Sequence, residues 1–329
     1  MPDFSNTPAI EAQDLTVTFA REGNHIRAVN GISFALKRGE VLTVIGESGS
    51  GKSVMLRTLL GLIPGYATVG GRVMVRGVDM TTLSAEQRSA MRGRDVSMIF
   101  QEPATAFDPV YTVGEQIAET IIRHEGVSHL TAMARAKDLL DLVAIPSAER
   151  RLRNFPHEMS GGMRQRAMIA LALSCNPSVL LADEPTTALD ATVQIQLLVL
   201  LRKLQRELDM ALIFVTHDMG VAAEISDRVA VMYAGRFGET GTGKDVLLGP
   251  SHPYTAGLLS STVHAGMRGQ RLQTITGSPP DLRRLPKGCS FAPRCQRAVD
   301  ACREGVPPSF LVSSSHTAAC LRVEALAAV

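Results

Sequence analysis

Eight residues, GESGSGKS at positions 46–53, constrain the fold of this chain more than any other stretch. They follow the short apolar run VLTVI and precede VMLRTLLGL, whose apolar residues fall on one helical face. A strand, a glycine-rich loop and a helix in this order form a phosphate-binding loop (P-loop), in which backbone N–H groups surround a phosphate. Lys52 supplies positive charge to the outer phosphates, and the Ser53 hydroxyl is suited to bind Mg²⁺.

Three further short apolar runs, VSMIF, SVLLAD and ALIFVT, repeat the strand pattern. Each is too short for a helix and is suited to burial on both faces of a sheet, so with VLTVI they predict four central strands covered by helices. The earlier segments IEAQDLTVTFA and AVNGISFALKRGE alternate and carry glycine turns, which predicts an antiparallel piece beside the main sheet. The fold class is therefore expected to be α/β.

Composition and charge exclude several functional classes. The net charge is +2, from 34 basic and 32 acidic side chains, so bulk charge gives no support for nucleic acid binding. No run approaches the roughly 18 apolar residues that cross a bilayer, and the first residues, MPDFSNTPAIEAQ, lack the pattern of a signal peptide. The sequence predicts a cytoplasmic protein that does not itself form a pore.

A pair of acids follows one of the predicted central strands. SVLLADEP is an apolar run that ends in Asp183 and Glu184. A carboxylate at the exit of a central strand can hold the water shell of Mg²⁺, which makes Asp183 a candidate metal-binding residue. Glu184 is one residue further along and is placed to activate an attacking water as a general base.

A second anion-binding element stands in EMSGGMRQR, where Ser160, Gly161 and Gly162 precede a helical segment. A serine hydroxyl and free N–H groups at a helix N-terminus form a cradle for a negative charge. The chain therefore carries two anion-binding loops that are far apart in sequence.

These motifs resemble, in content and order, the nucleotide-binding subunit of an ATP-binding cassette (ABC) transporter over about residues 10–260. Gln101 in IFQEP, Asp190 at the end of ALD and His217 in VTHD complete the set. The resemblance implies that Gln101 contacts Mg²⁺ and the attacking water and that His217 hydrogen-bonds the terminal phosphate. It implies that Asp190 lies at a subunit boundary. Met163 stands where glutamine is usual in the family.

The resemblance also implies how the two anion-binding loops act. The serine–glycine cradle closes over the nucleotide held by the opposite subunit, so the ATP-binding site is completed only when two cassettes stack head to tail. Catalysis is then expected from Glu184, His217 and Gln101, and Mg²⁺ binding from Ser53, Gln101 and Asp183. Phe19 either stacks on adenine or is a core strand residue. The ATP-binding set is expected to be Phe19, Gly46, Glu47, Ser48, Gly49, Ser50, Gly51, Lys52, Ser53, Val54, Ser160, Gly161, Gly162 and Asp190.

The composition changes near residue 245, where proline, glycine and serine become frequent. We therefore expect an ABC ATPase domain at 1–248, with an antiparallel β subdomain and a helical subdomain at about 103–172. A small irregular C-terminal extension at 249–329 is expected to follow. SHPYTAGLLSS and the cysteine-containing segments after it resemble the C-terminal extension of the peptide and nickel import subgroup of these ATPases.

Four of the five cysteines lie in the extension, namely Cys289, Cys295, Cys302 and Cys320. An even cluster in a cytosolic chain favours metal over disulfides, although the C-x5-C-x6-C-x17-C spacing lacks the C-x2-C pairs of common zinc sites. Some members of the subgroup carry a four-iron four-sulfur (4Fe-4S) cluster on similarly spaced cysteines. The open alternatives are this cluster, zinc and unliganded thiols, with Arg294 and Arg297 as candidate donors to cluster sulfurs and His316 as a substitute ligand.

The leading hypothesis is a Mg²⁺-dependent ATPase that drives import of dipeptides or oligopeptides. Its expected place is the cytoplasmic face of the inner or plasma membrane, bound peripherally to two integral membrane permease subunits. The expected partners also include a second ABC ATPase subunit, as a homologous chain or a second copy, and indirectly a solute-binding protein, with no nucleic acid. The alternatives are a soluble ABC ATPase acting on nucleic acid or ribosomes, and an importer ATPase for nickel or another small solute.

Overall fold

The computed structural model describes residues 7–21, 23–187, 189–261 and 274–323. These residues divide into two compact units. The first contains 7–11, 35–40 and 73–214, and the second contains 12–34, 41–72 and the described residues from 215 to 323.

Strands and helices alternate along most of the chain. The strands are β1 (Ile10–Arg21), β2 (Asn24–Leu36), β3 (Val41–Ile45), β4 (Ala67–Val75), β5 (Val78–Asp79), β6 (Val96–Ile99), β7 (Val179–Asp183), β8 (Ala211–Thr216), β9 (Arg228–Tyr233), β10 (Arg236–Thr242), β11 (Phe310–Ser313) and β12 (His316–Ala318). The α-helices are α1 (Lys52–Leu59), α2 (Ala85–Met91), α3 (Pro103–Ala106), α4 (Val113–Glu125), α5 (His129–Leu142), α6 (Ala148–Arg151), α7 (Gly161–Ala172), α8 (Ala191–Glu207), α9 (Met219–Ile225), α10 (Gly243–Leu248), α11 (Pro253–Ser260) and α12 (Ala301–Glu304). Short 3₁₀ helices occupy Pro156–Glu158 and Ala292–Arg294.

The first unit contains neighbouring strands in the order β8-β7-β6. β6 and β7 are parallel, with Val96 opposite Val179 and Ile99 opposite Ala182. Every residue of β6 and β7 is buried, as apolar runs covered on both faces require. The predicted strands VSMIF and SVLLAD are therefore confirmed, and their carboxyl ends lie side by side.

Helices fill the first unit between β6 and β7, over the segment predicted as a helical subdomain. Thr112 and Glu115 form a capping box that begins α4, and Gly126 ends it in a left-handed conformation. Ala136 and Leu140 of α5 are buried, and so is Val143 just beyond the end of the helix. The domain boundaries at 103, 172 and 248 stay predictions, and α10 ends at the last of them.

The second unit contains a sheet in the order β11-β12-β10-β9-β3. β3 and β9 are parallel, whereas β9, β10, β12 and β11 pair antiparallel in succession. A separate sheet in this unit has the order β2-β1-β4, where the sequence predicted a piece beside the main sheet. The sequence predicted an irregular extension at 249–329, and the strands β11 and β12 differ from that expectation. Both are short and become strands through pairing with each other and with β10, which local sequence does not encode.

The core of the second unit joins the P-loop strand to the C-terminal extension. Ile45 of β3 and Tyr233 of β9 are buried in one cluster with Tyr254 and Phe291 of the extension. The ring centroids of Tyr233 and Tyr254 lie 4.5 Å apart, and those of Tyr254 and Phe291 lie 5.3 Å apart. The extension is therefore an integral part of this unit's core.

None of the described helices has both the length and the apolar character that a membrane span requires.

Candidate functional site

The P-loop lies in the second unit, between β3 and α1. Gly46 follows the buried β3, and Gly51 has φ 108° where α1 begins. A Cβ atom on Gly46 would lie 2.2 Å from the carbonyl oxygen of Met232, and one on Gly51 would lie 2.3 Å from that of Ala28. Neither position has room for a side chain, so glycine is required at both.

The loop presents polar groups that suit a phosphate. Lys52 is buried, and its Nζ donates to the carbonyl oxygens of Gly46, at 2.7 Å, and Glu47, at 3.0 Å. The Ser50 hydroxyl is buried without a hydrogen-bond partner among the described residues. A buried hydroxyl of this kind costs free energy unless a ligand satisfies it, so the loop fits an anion with acceptor oxygens. Ser48 and Gly49 are exposed at the tip.

Ser53 and Val54 are half-buried in the first turn of α1. Two predicted residues of the nucleotide site lie in this unit outside the P-loop, namely His217 and Phe19. His217 directly follows β8 and is exposed. The next residue, Asp218, begins α9 by accepting hydrogen bonds from two backbone N–H groups. Phe19 is half-buried on β1, and its ring centroid lies 6.0 Å from that of Tyr66. Tyr66 is 58% exposed and is a second aromatic candidate for adenine, which the sequence motifs did not single out.

In the first unit, the acidic pair stands at the end of β7. Asp183 is the last residue of the strand and is buried, and Glu184 is half-buried. Glu184 has φ 46°, in the left-handed region that non-glycine residues rarely adopt. A strained backbone of this kind persists only where the surrounding structure holds it in place, and such residues are concentrated at functional sites.

Gln101 meets Glu184 in this unit. β6 ends two residues before Gln101, and its parallel neighbour β7 ends at the residue before Glu184. Gln101 Nε2 donates to Glu184 Oε2 at 3.4 Å, and Thr187 Oγ1 donates to the same oxygen at 3.2 Å. The structure thus brings together two of the three predicted catalytic residues through strand register.

The serine–glycine cradle begins α7, also in the first unit. Ser160 is the N-cap, and its hydroxyl accepts from the backbone N–H of Met163 at 3.3 Å. Ser160 and Gly161 are exposed. The predicted helix start is confirmed, with backbone N–H groups available at an exposed helix end.

Asp190 has a similar capping position. Its side chain accepts from the backbone N–H of Val193 at 3.0 Å and begins α8. Asp190 itself is exposed. The functional roles assigned to Asp190 and to the cradle by resemblance stay predictions.

The four cysteines of the extension, Cys289, Cys295, Cys302 and Cys320, line one small cavity in the second unit. All four thiols are free. Burial raises the pKa of Cys289, Cys295 and Cys320 above the ordinary value. Among the described residues, however, no three His, Cys, Asp or Glu side chains are grouped as a metal site.

The fifth cysteine, Cys175, belongs to the first unit. It is buried, and burial raises the pKa of its thiol.

Two residues proposed around the cysteines have other partners. Arg294 binds the carboxylate of Glu47 in the P-loop, with N–O distances of 2.7 and 3.0 Å. His316 Nε2 lies 2.7 Å from Glu239 Oε1. Neither pair leaves a signal in the sequence, because the partners are 247 and 77 residues apart.

Comparison with known proteins agrees with this arrangement. The family model for ABC transporters matches residues 29–187, and the one for the oligopeptide/dipeptide transporter C-terminal region matches residues 239–302. The Dipeptide transport ATP-binding protein DppD of Bacillus subtilis is 46% identical, over 94% of this chain and 93% of its own. The Oligopeptide transport ATP-binding protein OppD of Salmonella typhimurium is 45% identical, over 95% and 93%.

A solved structure shares the fold. The dimeric ATP-binding cassette MJ0796, in a post-hydrolysis state bound to ADP and Pi, has a TM-score of 0.64 and 28% identity, and the match covers 71% of this chain and 98% of that one. Family motifs, sequence identity and fold all agree. The chain therefore belongs to the ABC transporter ATP-binding proteins, ATPases coupled to transport, in the group that carries the oligopeptide/dipeptide C-terminal region.

Proposed function

We propose that this protein hydrolyses ATP to drive import of dipeptides or oligopeptides through a membrane transporter. The observation that carries the peptide assignment is the C-terminal region itself, which matches the oligopeptide/dipeptide type and shares a core with the P-loop strand.

The motif residues have distinct roles in this proposal. The P-loop with Lys52 binds the phosphates, and Glu184 takes the proton of the attacking water. His217 hydrogen-bonds the terminal phosphate, and either Phe19 or Tyr66 stacks on adenine. Mg²⁺, when bound, would neutralise charge on the phosphates, with Ser53, Gln101 and Asp183 as its holding residues. The donor chemistry of a hydroxyl, an amide oxygen and a carboxylate fits a hard cation.

ATP hydrolysis in this proposal requires a second cassette. The exposed Ser160 and Gly161 at the start of α7 are supporting observations, because an exposed helix end can reach a nucleotide held by another subunit. The dimeric state of the related cassette MJ0796 also supports it. Asp190 lies at the boundary between the two cassettes. ATP binding then closes the pair, and hydrolysis removes the bridging phosphate and lets it open.

The proposed partners are two integral membrane permease subunits, a second ABC ATPase subunit and, indirectly, a solute-binding protein. The proposed location is peripheral, on the cytoplasmic face of the membrane. The combination of ABC motifs with the transporter C-terminal region supports both.

The experiment that tests the function uses the complete transporter in membrane vesicles. With wild-type protein, ATP should drive uptake of a labelled dipeptide or tripeptide. Glu184→Gln should lower ATP hydrolysis by about 10²- to 10⁴-fold while ATP binding is retained, because only the general base is lost. Uptake of nickel with no peptide uptake would replace the peptide assignment, and full hydrolysis by Glu184→Gln would refute the role of Glu184.

We also propose that Cys289, Cys295, Cys302 and Cys320 form one ligand set, for a 4Fe-4S cluster or zinc. Their shared cavity and four sulfur donors support this, although the described side chains are not grouped as a ready metal site. Because burial favours the protonated thiols, metal binding would release protons.

Metal analysis and absorption spectroscopy distinguish the possibilities for this ligand set. Anaerobically purified protein with a cluster should be brown and contain iron and sulfide, and Cys302→Ser should lose both. A colourless protein with stoichiometric zinc would replace the cluster, and a metal-free protein would refute the ligand set.

A further inference from the structure

The carboxylate of Glu47, in the P-loop, is held by an arginine of the C-terminal extension. Arg294 Nη1 and Nη2 donate to the two carboxylate oxygens of Glu47 at 2.7 and 3.0 Å. The Arg294 side chain is only 5% exposed and that of Glu47 is 26% exposed. A bidentate arginine–carboxylate pair fixes the orientation of the carboxylate as well as its distance, so the extension determines where the Glu47 side chain lies.

Arg294 is itself fixed by its surroundings. Its Nε donates to the carbonyl oxygen of Thr276 at 3.1 Å, and its Nη1 also lies 3.3 Å from the hydroxyl of Tyr233. The guanidinium carbon lies 5.9 Å from the ring centroid of Tyr233 and 6.0 Å from that of Phe291. The Glu47 carboxylate raises the pKa of the arginine further above its ordinary value. A buried charge with this set of partners has little freedom to move.

The extension also holds the backbone of the loop. The N–H of Glu47 donates to the hydroxyl of Tyr254 at 2.9 Å, and Tyr254 is fully buried. Pro279, Pro280 and Leu282 line one cavity together with the loop residues 47–50. The positions of both the side chain and the backbone amide of Glu47 are thus held by residues more than 200 positions away in the sequence.

We propose that Arg294 is a positioning residue for nucleotide binding, through which the C-terminal extension sets the affinity of the P-loop for ATP. The loop binds phosphate with backbone N–H groups, which act together only in one loop conformation. Anchoring Glu47 preorganises that conformation, so less conformational entropy is lost when the phosphates bind. Arg294 acts through Glu47, and no contact between Arg294 and the nucleotide is required.

The test compares variants of two arginines in the extension. Arg294→Gln removes the anchor, whereas Arg283→Gln is the matched control, because Arg283 pairs with Asp281 on the exposed surface. Affinity for Mg²⁺ with a non-hydrolysable ATP analogue is measured by calorimetry on the full-length chain. Arg294→Gln should weaken binding at least about fivefold, the lower end of typical coupling between sites. Arg283→Gln should bind like wild type. Binding by a folded Arg294→Gln protein within about twofold of wild type would overturn the proposal.

Arg294→Lys keeps the test decisive if Arg294→Gln does not fold. Lysine retains the charge but cannot make the bidentate contact. The affinity of the Arg294→Lys protein for the ATP analogue should therefore be lower than that of wild type. Where Arg294→Gln can be measured, the affinity of Arg294→Lys should lie between the two. Amide hydrogen exchange without nucleotide should become faster at residues 47–50 and stay unchanged in β9, which a general loss of stability would not produce. Unchanged affinity and exchange in Arg294→Lys, or exchange that rises equally in β9, would refute a positioning role.

A double-mutant cycle with Glu47→Gln tests whether Arg294 acts through Glu47. The effects of Glu47→Gln and Arg294→Lys on affinity should be strongly non-additive, because each variant breaks the same contact. Additive effects would show that the two residues act independently and would overturn the proposed route.

Discussion

At the scale of single residues, the site depends on backbone positions with little tolerance. Gly46 and Gly51 have no space for a Cβ atom, and Glu184 is held at a positive φ. The sequence motif predicted the two glycines because the chemistry of a phosphate loop requires them. It also predicted Glu184 as a base, but not its strained backbone, which depends on how β7 ends.

The two P-loop glycines 49 and 51 permit a prediction on stability. A Cβ on Gly51 would lie 2.3 Å from a backbone oxygen, whereas one on Gly49, with φ 78°, meets nothing within 4 Å. Gly49→Ala should therefore cost about 1–2 kcal/mol through its backbone conformation alone. Gly51→Ala should cost about 1–3 kcal/mol more, because the backbone must also shift. Urea unfolding measures both, and equal losses would contradict the close contact at Gly51.

At the scale of elements, strand order accounts for much of the site. The parallel pair β6 and β7 brings Gln101 to Glu184. Ser160 and Asp190 are positioned as the N-caps of α7 and α8. The contact between Gln101 and Glu184 and the cap at Asp190 were not predicted from the sequence. The strands β6 and β7 and the start of α7 were predictable, because they follow from local patterns of apolar runs and of a serine before a helical segment. The short strands β11 and β12 were not, because their formation depends on pairing with β10.

The start of α11 permits a prediction on pH. His252 caps this helix, and its Nδ1 accepts from the N–H of Tyr254 at 3.0 Å. Burial lowers the pKa of His252 to about 4 from 6.5. The unfolded chain binds a proton at this histidine near pH 6.5, whereas the folded protein does not. The contribution of His252 to the free energy of unfolding is therefore complete above pH 6.5. It should fall as the pH drops towards 4, by up to about 3 kcal/mol.

The control for this prediction is His252→Asn, which keeps a capping oxygen but cannot titrate. Its free energy of unfolding should fall less between pH 7 and pH 4 than that of wild type. Denaturant unfolding at a series of pH values measures the difference. Parallel pH profiles for the two proteins would show that His252 does not carry the effect.

At the scale of the whole molecule, the extension is part of the nucleotide-binding unit. Tyr254 and Phe291 lie in the same core as Ile45, and Arg294 binds Glu47. The composition change near residue 245 predicted a boundary but could not show this contact, because a charged pair 247 residues apart leaves no local pattern. The sequence therefore located the extension and its cysteines without indicating what Arg294 binds.

Removal of residues 249–329 tests how far the extension is separable. The truncated chain should aggregate, because β10 loses β12 and the core loses Tyr254 and Phe291. Size-exclusion chromatography with light scattering measures this. The control is Leu311→Ser, at a side chain on β11 that is 72% exposed, and it should behave like wild type. A monodisperse truncated chain that binds ATP would contradict the prediction.

The pairing of β12 with β10 also has a consequence for biosynthesis. Thr240 and Thr317 contact each other across these strands although 77 positions separate them. At about 5–20 residues per second, a ribosome needs roughly 4–15 s to translate that interval. During this time the edge of β10 that later pairs with β12 is unpaired in the nascent polypeptide. This interval is where assistance from a chaperone matters most for the protein.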